Sequence, residues 1–384
     1  MPDQKEISRF KSLPTPFYYY NLEVLDKTLK EAVHEAGKYN YHIHYAFKAN
    51  ANDKILELIK SYGLGADCVS GNEIRKAAEF GFPSESIVFA GVGKTDDEIG
   101  TAIDHDIFCF NCESLPELEV INQIAAGKKK IARIALRINP NINPGTHHYI
   151  TTGLEENKFG INAWELEKVI ESLSDMHNLI LTGLHFHIGS QITDLSVFKG
   201  LCLRVNEIRQ WFYDRHINPG HLNLGGGLGV DYVNPDRNLI PDFRSYFKIF
   251  HDFIEHRPDQ QIHFEPGRSI VAQCGTLISK VLYVKKGINT SFVIVDAGMT
   301  ELLRPALYQA YHKIENLTSD GNNFRYDVVG PICESSDTFA KFIELPETRR
   351  GDLIAIRSAG AYGEAMAMRY NLRDLAKAVF SDDL

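Results

Sequence analysis

The sequence predicts an α/β protein in which a (β/α)8 TIM barrel is followed by a β-rich domain. Two observations predict this fold. Short apolar runs alternate with segments of helical spacing over the first 270 residues, and eight such units fit the size of a TIM barrel. After Arg268 the pattern changes to strands separated by turns, with only short helical stretches. An open, doubly wound sheet is the competing architecture, and the count of eight strands favours the closed barrel.

The barrel elements are predicted from their periodicity. The buried apolar runs that predict its strands lie at 43–49, 65–70, 87–91, 107–111, 132–138, 181–188, 222–226 and 262–265. Segments with apolar residues at helical spacing lie at 53–59, 72–78, 164–172 and 197–213.

The β-rich domain is predicted from a second set of apolar runs, at 276–284, 292–296, 326–329 and 353–356. The segment TPFYYY at 15–20 also reads as a strand, and we expect it to complete this domain. The expected limits are therefore 22–270 for the barrel and 1–21 with 271–384 for a discontinuous β-rich domain.

Composition excludes several classes of function. The 384 residues are 44% hydrophobic and 24% charged, as in an ordinary globular protein, and the net charge of −9 does not favour binding to nucleic acid or an anionic membrane. No apolar run approaches the length of a membrane span, and the N-terminus lacks the apolar segment of a signal peptide. Six scattered cysteines, among them Cys109 and Cys112 within one strand, indicate free thiols in a reducing cytoplasm and no metal site.

Lys48 lies at the end of the first predicted strand, where a lysine is unusual. Burial removes water from an ammonium group and lowers its pKa, which makes a lysine a nucleophile that can form a Schiff base with an aldehyde cofactor. The alternative is a charge that merely ends the strand and reaches solvent. The other polar groups of the chain decide between these interpretations.

Those groups also follow barrel strands, and the chemistry of TIM barrels takes place at the C-terminal ends of the strands. A glycine-rich turn after the seventh strand and a basic turn after the eighth are typical of a phosphate site, because backbone N–H groups can approach without interference from Cβ. Three glycines alone would indicate only a tight turn. The residues concerned are His187 after the sixth strand, Gly225, Gly226 and Gly227 after the seventh, and Glu265, Gly267 and Arg268 after the eighth.

A lysine, a carboxylate and a phosphate site at one end of a barrel predict pyridoxal 5'-phosphate as cofactor. The order of motifs along both domains is similar to that of the alanine-racemase-like fold group of pyridoxal phosphate enzymes, and within it to the group IV decarboxylases that act on diaminopimelate. One motif would be weak, but their joint order is specific. The motifs are YAFKAN (45–50), NKFG (157–160), HIGSQ (187–191), LGGG (224–227), EPGR (265–268), DAGM (296–299), RPALY (304–308), GPICES (330–335) and SAGAYG (358–363).

The resemblance implies roles for the barrel residues. Lys48 would bind the cofactor covalently, and His187 would lie against one face of its ring, whereas His185 fits a core histidine. Ser190 would support the cofactor by hydrogen bonding, with a helix N-cap as the alternative. The glycine turn and the basic turn would bind the phosphate.

Glu265 indicates the type of reaction. A carboxylate at the pyridine nitrogen keeps that nitrogen protonated, and the pyridinium accepts the electrons left when CO2 departs. A racemase of the same fold group can use an arginine there, so by family analogy the glutamate implies decarboxylation. The alternative is a structural ion pair with Arg268, which a Pro-Gly turn would not hold rigidly.

Cys333 and Glu334 are implied by the resemblance to enter the neighbouring subunit's pocket, so that a homodimer with shared active sites is the catalytic unit. Cys333 would return a proton to the carbanion, as a thiol can when its pKa lies near ambient pH. A buried apolar cysteine is the alternative. That alternative suits the other five cysteines better than Cys333, because Cys333 is followed by polar residues, a glutamate and two serines.

The substrate meso-diaminopimelate has a second amino-acid end, which needs a cation for its carboxylate and an anion for its ammonium. Arg268, Arg304 and Tyr308 suit the carboxylate, and Glu334 suits the ammonium. Tyr362 would touch both cofactor and substrate. On surface statistics alone Arg304 would be a solvated charge, but apolar residues follow it.

The expected function is therefore pyridoxal phosphate-dependent decarboxylation of meso-2,6-diaminopimelate to L-lysine and CO2. Decarboxylases of the same fold that act on ornithine, arginine or carboxynorspermidine are the nearest alternative, and their substrates lack a distal end with both charges. An amino-acid racemase is a second alternative. A non-catalytic pyridoxal phosphate-binding homologue would be expected to lack the second domain or to have lost Lys48 or Cys333. A loop at 147–152 is expected near the mouth of the pocket.

Overall fold

A computed structural model describes residues 3–142 and 158–384 of the chain. The loop expected at 147–152 and the first residue of the NKFG motif lie outside the described residues. Among the described residues, none of the helices combines the length and the apolar character that a membrane crossing requires.

The chain divides into two compact units. We call Leu29–Gly229 with Asp242–Gly267 the barrel unit, and Met1–Thr28 with Val230–Pro241 and Arg268–Leu384 the sheet unit. The domain limits expected from the sequence stay a prediction.

Strands and helices alternate through the barrel unit, and strands dominate after it. The strands are β1 (Phe17–Tyr20), β2 (His42–Ala46), β3 (Gly65–Cys68), β4 (Ile87–Phe89), β5 (Cys109–Cys112), β6 (Ala132–Arg137), β7 (Leu179–His185), β8 (His221–Asn223), β9 (Gln261–Phe264), β10 (Gly275–Lys286), β11 (Ser291–Val295), β12 (Ile314–Asn316), β13 (Asn323–Val329), β14 (Thr338–Pro346), β15 (Leu353–Ile356) and β16 (Lys377–Phe380). The α-helices are α1 (Gln4–Phe10), α2 (Leu22–Gly37), α3 (Asp53–Ser61), α4 (Gly71–Glu79), α5 (Asp96–Asp104), α6 (Leu115–Gly127), α7 (Leu166–Leu173), α8 (Ser196–Tyr213), α9 (Phe243–Phe253), α10 (Arg268–Val271) and α11 (Arg304–Tyr308).

The barrel unit is a closed barrel of parallel strands, β2 to β9 in chain order. Closure comes from the pairing of β2 with β9, where His42 lies opposite His263 and Ile43 opposite Phe264. Each of the eight predicted runs overlaps one barrel strand, so the predicted fold class is confirmed for this unit. The predicted runs often extend past the observed strand ends, because the residues that leave the ladder form the loops at the C-terminal end of the barrel.

Helices cover the barrel with amphipathic faces. Helix α3 shows the local reasons: the side chain of Asn52 accepts a hydrogen bond from the backbone of Lys54 at the N-terminus, and Ile55, Leu56 and Ile59 are buried. Full burial of such a side chain stabilises the fold by about 1.5–3 kcal/mol. The predicted segment 53–59 corresponds to this helix.

The sheet unit contains an eight-stranded sheet in the order β12-β15-β10-β11-β13-β14, with β1 pairing to β10 and β16. Strand β1 is antiparallel to β10 and parallel to β16, and its residues are buried. Its side chains Phe17 and Tyr19 pack with Phe10, Ile278 and Leu353. The expectation that the N-terminal strand completes the β-rich domain is therefore confirmed.

Candidate active site

Lys48 lies in a single helical turn, Phe47–Ala49, that directly follows β2. The strand predicted over 43–49 therefore ends three residues early. The Nζ atom of Lys48 is 2.8 Å from Oδ2 of Asp67 on β3, and the Lys48 side chain is 38% exposed whereas that of Asp67 is fully buried. Burial, with the negative charge of Glu265, raises the pKa of Asp67 to about 6 although Lys48 opposes the shift. The residue predicted as the cofactor's anchor thus has a carboxylate partner that the sequence analysis did not include.

Glu265 follows β9 and is buried at the centre of a set of hydrogen-bond donors. Its Oε1 accepts from the side-chain amides of Asn111 at 3.0 Å and Asn223 at 2.6 Å, and its Oε2 accepts from Nε2–H of His185 at 2.9 Å. Burial opposes its ionisation, but His185 and Lys48 outweigh burial and lower the pKa of Glu265 below its usual range. Glu265 is therefore held as an anion, and a carboxylate oxygen has room for more than one donor.

His187 follows β7 and is neutral. The backbone N–H of Gly226 donates to its Nδ1 at 3.2 Å, so the ring carries its proton on Nε2. Burial, then the positive charges of Arg137 and Lys48, lower its pKa well below the ordinary value. His185, predicted as a core histidine, is buried, and its hydrogen bond goes to Glu265.

The turn of three glycines after β8 is tightly enclosed. A Cβ on Gly225 would lie 2.4 Å from the carbonyl oxygen of Phe186, and one on Gly226 would lie 2.2 Å from that of Glu265. Gly225 and Gly227 also have positive φ angles of 67° and 107°. Only glycine fits this backbone. The N–H groups of Gly225 and Gly226 already donate to Oδ1 of Asn223 at 3.0 Å and Nδ1 of His187 at 3.2 Å.

Arg137 and Glu113 form a buried pair that the sequence analysis missed. Nη1 of Arg137, on the last residue of β6, is 2.6 Å from Oε1 of Glu113. Glu113 also accepts the backbone N–H groups of Gly160 at 2.9 Å and Gly91 at 3.3 Å. A cation at the end of a predicted strand was the signal that identified Lys48, and the same signal could have found Arg137.

In the sheet unit two predicted arginines converge on one tyrosine. Nη1 of Arg268 donates to the hydroxyl oxygen of Tyr232 at 2.7 Å, and Nη1 of Arg304 donates to it at 2.9 Å. Both arginines are buried, so the alternative of a solvated Arg304 is wrong. Nη1 of Arg304 also donates to Nε2 of His312 at 2.8 Å. Tyr232 and His312 are not among the residues that the sequence predicted.

The other predicted residues of the sheet unit are more exposed. The Tyr362 ring lies under the guanidinium of Arg268 at 4.9 Å, and Tyr308 ends helix α11. Cys333 is exposed, whereas the other five cysteines are buried, so the alternative of a buried Cys333 is wrong. Glu334 is exposed and accepts a hydrogen bond from the hydroxyl group of Tyr370.

Ser190 and Gly267 complete the set of predicted residues. Ser190 does not cap a helix, because α8 begins at Ser196 and is preceded by Leu195, so the N-cap alternative is wrong. A Cβ on Gly267 would lie 3.0 Å from the Cβ atoms of Ala46 and Ala49, so this turn packs closely on the turn of Lys48.

The barrel unit fits a phosphorylated aldehyde with a protonated ring nitrogen. Lys48 supplies an amine for the aldehyde, Glu265 is an anion surrounded by donors, and the glycine turn presents backbone that no Cβ shields. Pyridoxal 5'-phosphate has these three features.

Comparisons with known proteins give one family. The profile described as "Pyridoxal-dependent decarboxylase, pyridoxal binding domain" matches residues 22–272. The diaminopimelate decarboxylase of Bacteroides thetaiotaomicron is 57% identical over 379 residues, 98% of both chains, and that of Aquifex aeolicus is 40% identical over 96% of this chain and 87% of its own. The crystal structure of a diaminopimelate decarboxylase variant from Helicobacter pylori, complexed with L-lysine, superposes with a TM-score of 0.92, at 41% identity over 98% of this chain and 94% of its own.

Proposed function

The chain belongs to the pyridoxal-dependent decarboxylases, and on this premise we propose that it converts meso-2,6-diaminopimelate into L-lysine and CO2 with pyridoxal 5'-phosphate as cofactor. Relatives of 57% and 40% identity along nearly the whole chain are named diaminopimelate decarboxylase. The observation in the site that carries the choice of substrate is the pair of buried guanidiniums, Arg268 and Arg304, on one hydroxyl group. Two buried cations suit the carboxylate at the distal end of diaminopimelate, whereas ornithine and arginine have no carboxylate there.

In the reaction, the bond from the α-carbon to its carboxylate breaks, CO2 leaves without the electron pair, and a proton takes its place. Bound pyridoxal phosphate supplies the sink for that electron pair. Lys48 would hold the cofactor covalently, and Asp67 would orient the lysine through their ion pair. Glu265 would keep the ring nitrogen protonated, because His185 and Lys48 hold it as an anion, and the amides of Asn111 and Asn223 fix its position.

His187 and the two turns would position the cofactor. A neutral imidazole can lie against the ring without adding a positive charge, and the N–H of Gly226 fixes its orientation. The backbone N–H of Gly227, in the turn that Gly225 and Gly226 shape, would bind the phosphate together with the backbone of Gly267 and Arg268, and Ser190 would add a hydrogen bond.

Residues of the sheet unit would bind the distal end of the substrate and return a proton to its α-carbon. Arg268, Arg304 and Tyr308 would bind the distal carboxylate, and Tyr362 would touch cofactor and substrate. We propose further that the exposed residues Cys333 and Glu334 act in the neighbouring subunit of a cytoplasmic homodimer. There the Cys333 thiol would protonate the α-carbon, and Glu334 would bind the distal ammonium.

CO2 release tests the reaction directly. Purified protein with pyridoxal phosphate should release CO2 from meso-diaminopimelate much faster than from ornithine, arginine or carboxynorspermidine. The physical reason is that these three leave buried donors of the distal site unpaired. A preference for one of the other three substrates would contradict the proposal.

Two inactive variants test the shared site. Lys48→Ala should lose the cofactor's absorbance and its activity, and Cys333→Ala should lose turnover but retain the cofactor. If sites are shared, mixing the two variants in equal amounts should restore up to about a quarter of wild-type activity, because about half of the dimers are then mixed and one of the two sites in each is intact. No recovery after demonstrated subunit exchange would count against Cys333 acting in the neighbouring subunit.

A further inference from the structure

Tyr232 lies in the segment Val230–Pro241 of the sheet unit, and this segment is held firmly. The side chain of Asp231 accepts the backbone N–H groups of the turn that follows Tyr232. Gln273 donates to the carbonyl oxygen of Asp231 at 3.3 Å, and Asp236 forms an ion pair of 2.8 Å with Arg357. Contacts on both sides of Tyr232 therefore fix its position in the sheet unit without any ligand.

The hydroxyl group of Tyr232 has one hydrogen-bonding function left. The residue is only 8% exposed, and its ring packs edge-on against His312 with ring centroids 4.9 Å apart. Its oxygen accepts from Arg268 at 2.7 Å and from Arg304 at 2.9 Å. A phenol oxygen accepts about two hydrogen bonds and donates one, so the two guanidiniums occupy its acceptor positions. Within residues 3–142 and 158–384, no group accepts the remaining O–H proton.

The positive charge around this hydroxyl group favours an anion as the acceptor of its proton. Arg304 contacts no carboxylate in the described part of the chain, and its other partner, His312, is uncharged. Nδ1 of His312 donates to the carbonyl oxygen of Arg357 at 2.8 Å, so Nε2 is free to accept from Arg304. Burial, then the charge of Arg304, lower the pKa of His312 to about 3. Arg304 is therefore a buried cation that no described carboxylate compensates, which is costly unless an anion does so.

The two guanidiniums also polarise the hydroxyl group. Burial alone would raise the pKa of Tyr232, but Arg268 and Arg304 outweigh it and lower the pKa below the ordinary value of 10. A more acidic O–H is a stronger hydrogen-bond donor to an anion.

We propose that Tyr232 is a further substrate-binding residue, whose hydroxyl group donates a hydrogen bond to the distal carboxylate that decarboxylation leaves intact. The inference rests on the proposed function, because that reaction provides the carboxylate. Tyr232 has two tasks in this arrangement. It brings the two guanidiniums onto one oxygen, and it adds a third donor to the two cations that bind the carboxylate.

Tyr232 thereby contributes to substrate specificity. A ligand without the distal carboxylate would leave the hydroxyl proton of Tyr232 without an acceptor and the buried charge of Arg304 without an anion. An unpaired buried donor is a strong means of rejecting an analogue.

The test compares two ligands that differ only in this carboxylate. L-Lysine retains it, and cadaverine is the same chain without it. Dissociation constants of both are measured by calorimetry on the pyridoxal phosphate-loaded protein, for the wild type and for Tyr232→Phe, which keeps the ring and removes the hydroxyl. We expect the Kd of lysine to rise about tenfold or more in the variant, and the Kd of cadaverine to change by less than about threefold.

Tyr311→Phe is the matched control, because Tyr311 is 50% exposed and has no part in the cluster. It should leave both constants unchanged. Equal weakening of lysine and cadaverine in Tyr232→Phe would show a merely structural role and overturn the inference, as would an unchanged Kd for lysine. The readout is a ratio of affinities within one protein, so a smaller folded fraction does not alter it. Failure of the wild type to release CO2 from diaminopimelate would instead contradict the proposed function.

Discussion

Gly226→Ala tests whether the turn of three glycines must lack a side chain in order to bind the cofactor. The added Cβ would lie 2.2 Å from the carbonyl oxygen of Glu265, 2.9 Å from its carbonyl carbon and 3.4 Å from Cα of Pro266. Real Cβ contacts are almost never closer than 3.0 Å. The turn and the end of β9 must therefore separate by roughly 1 Å, and backbone atoms rather than a flexible side chain have to move.

That separation would break contacts on both sides of the turn. The N–H of Glu265 donates to the carbonyl oxygen of Gly225 at 2.8 Å, and the N–H of Gly226 donates to His187 at 3.2 Å. Overpacking of this kind costs about 1–3 kcal/mol of stability. A displacement of about 1 Å at a catalytic group can cost about 100-fold in rate. We therefore expect at least about a tenfold weaker binding of pyridoxal phosphate and a larger loss of kcat.

The measurement needs a matched control, and Gly220→Ala provides it at the other end of β8. Its Cβ would lie 3.5 Å from the carbonyl oxygen of Thr182, an ordinary contact. Cofactor affinity is measured by titration followed by absorbance, and stability by urea unfolding of the cofactor-free protein. Gly226→Ala should lower both, whereas Gly220→Ala should change the free energy of unfolding by at most about 1 kcal/mol. Equal cofactor affinity in the two variants would refute the reasoning about the turn.

Two further predictions concern the buried carboxylates. Glu265→Gln keeps the size of the side chain but removes its charge, so kcat should fall about 100-fold while the cofactor stays attached. The measurement is CO2 release. A kcat within about threefold of the wild type would exclude the proposed role of Glu265 in keeping the ring nitrogen protonated. The folded-state pKa of Asp67 is raised from 3.8 to about 6, chiefly by burial, so the folded protein binds this proton more tightly than the unfolded chain does. The cofactor-free wild type should therefore lose stability relative to Asp67→Asn as the pH rises from about 4 to about 6, and a pH-independent difference in urea unfolding would contradict this shift.

Local patterns predicted most of the fold. The apolar runs at 65–70 and 132–138 correspond to β3 and β6, because the pattern that predicts a strand or a helix depends on residues that are close in sequence. Strands β12, β14 and β16 were missed. Strand β16 pairs with β1 from the far end of the chain, and its apolar run is only three residues long, of which Phe380 alone is buried.

The sequence by itself determined the barrel, the added N-terminal strand and the family, whose profile matches residues 22–272. It also placed Lys48 and Glu265 at strand ends, although the roles of the predicted site residues stay predictions. Only the tertiary structure decided what surrounds them. Asn111 is 154 residues from Glu265 in sequence but hydrogen-bonds to it, and Tyr232 is 72 residues from Arg304. Desolvation and hydrogen bonding depend on distances in space, which a local pattern does not contain.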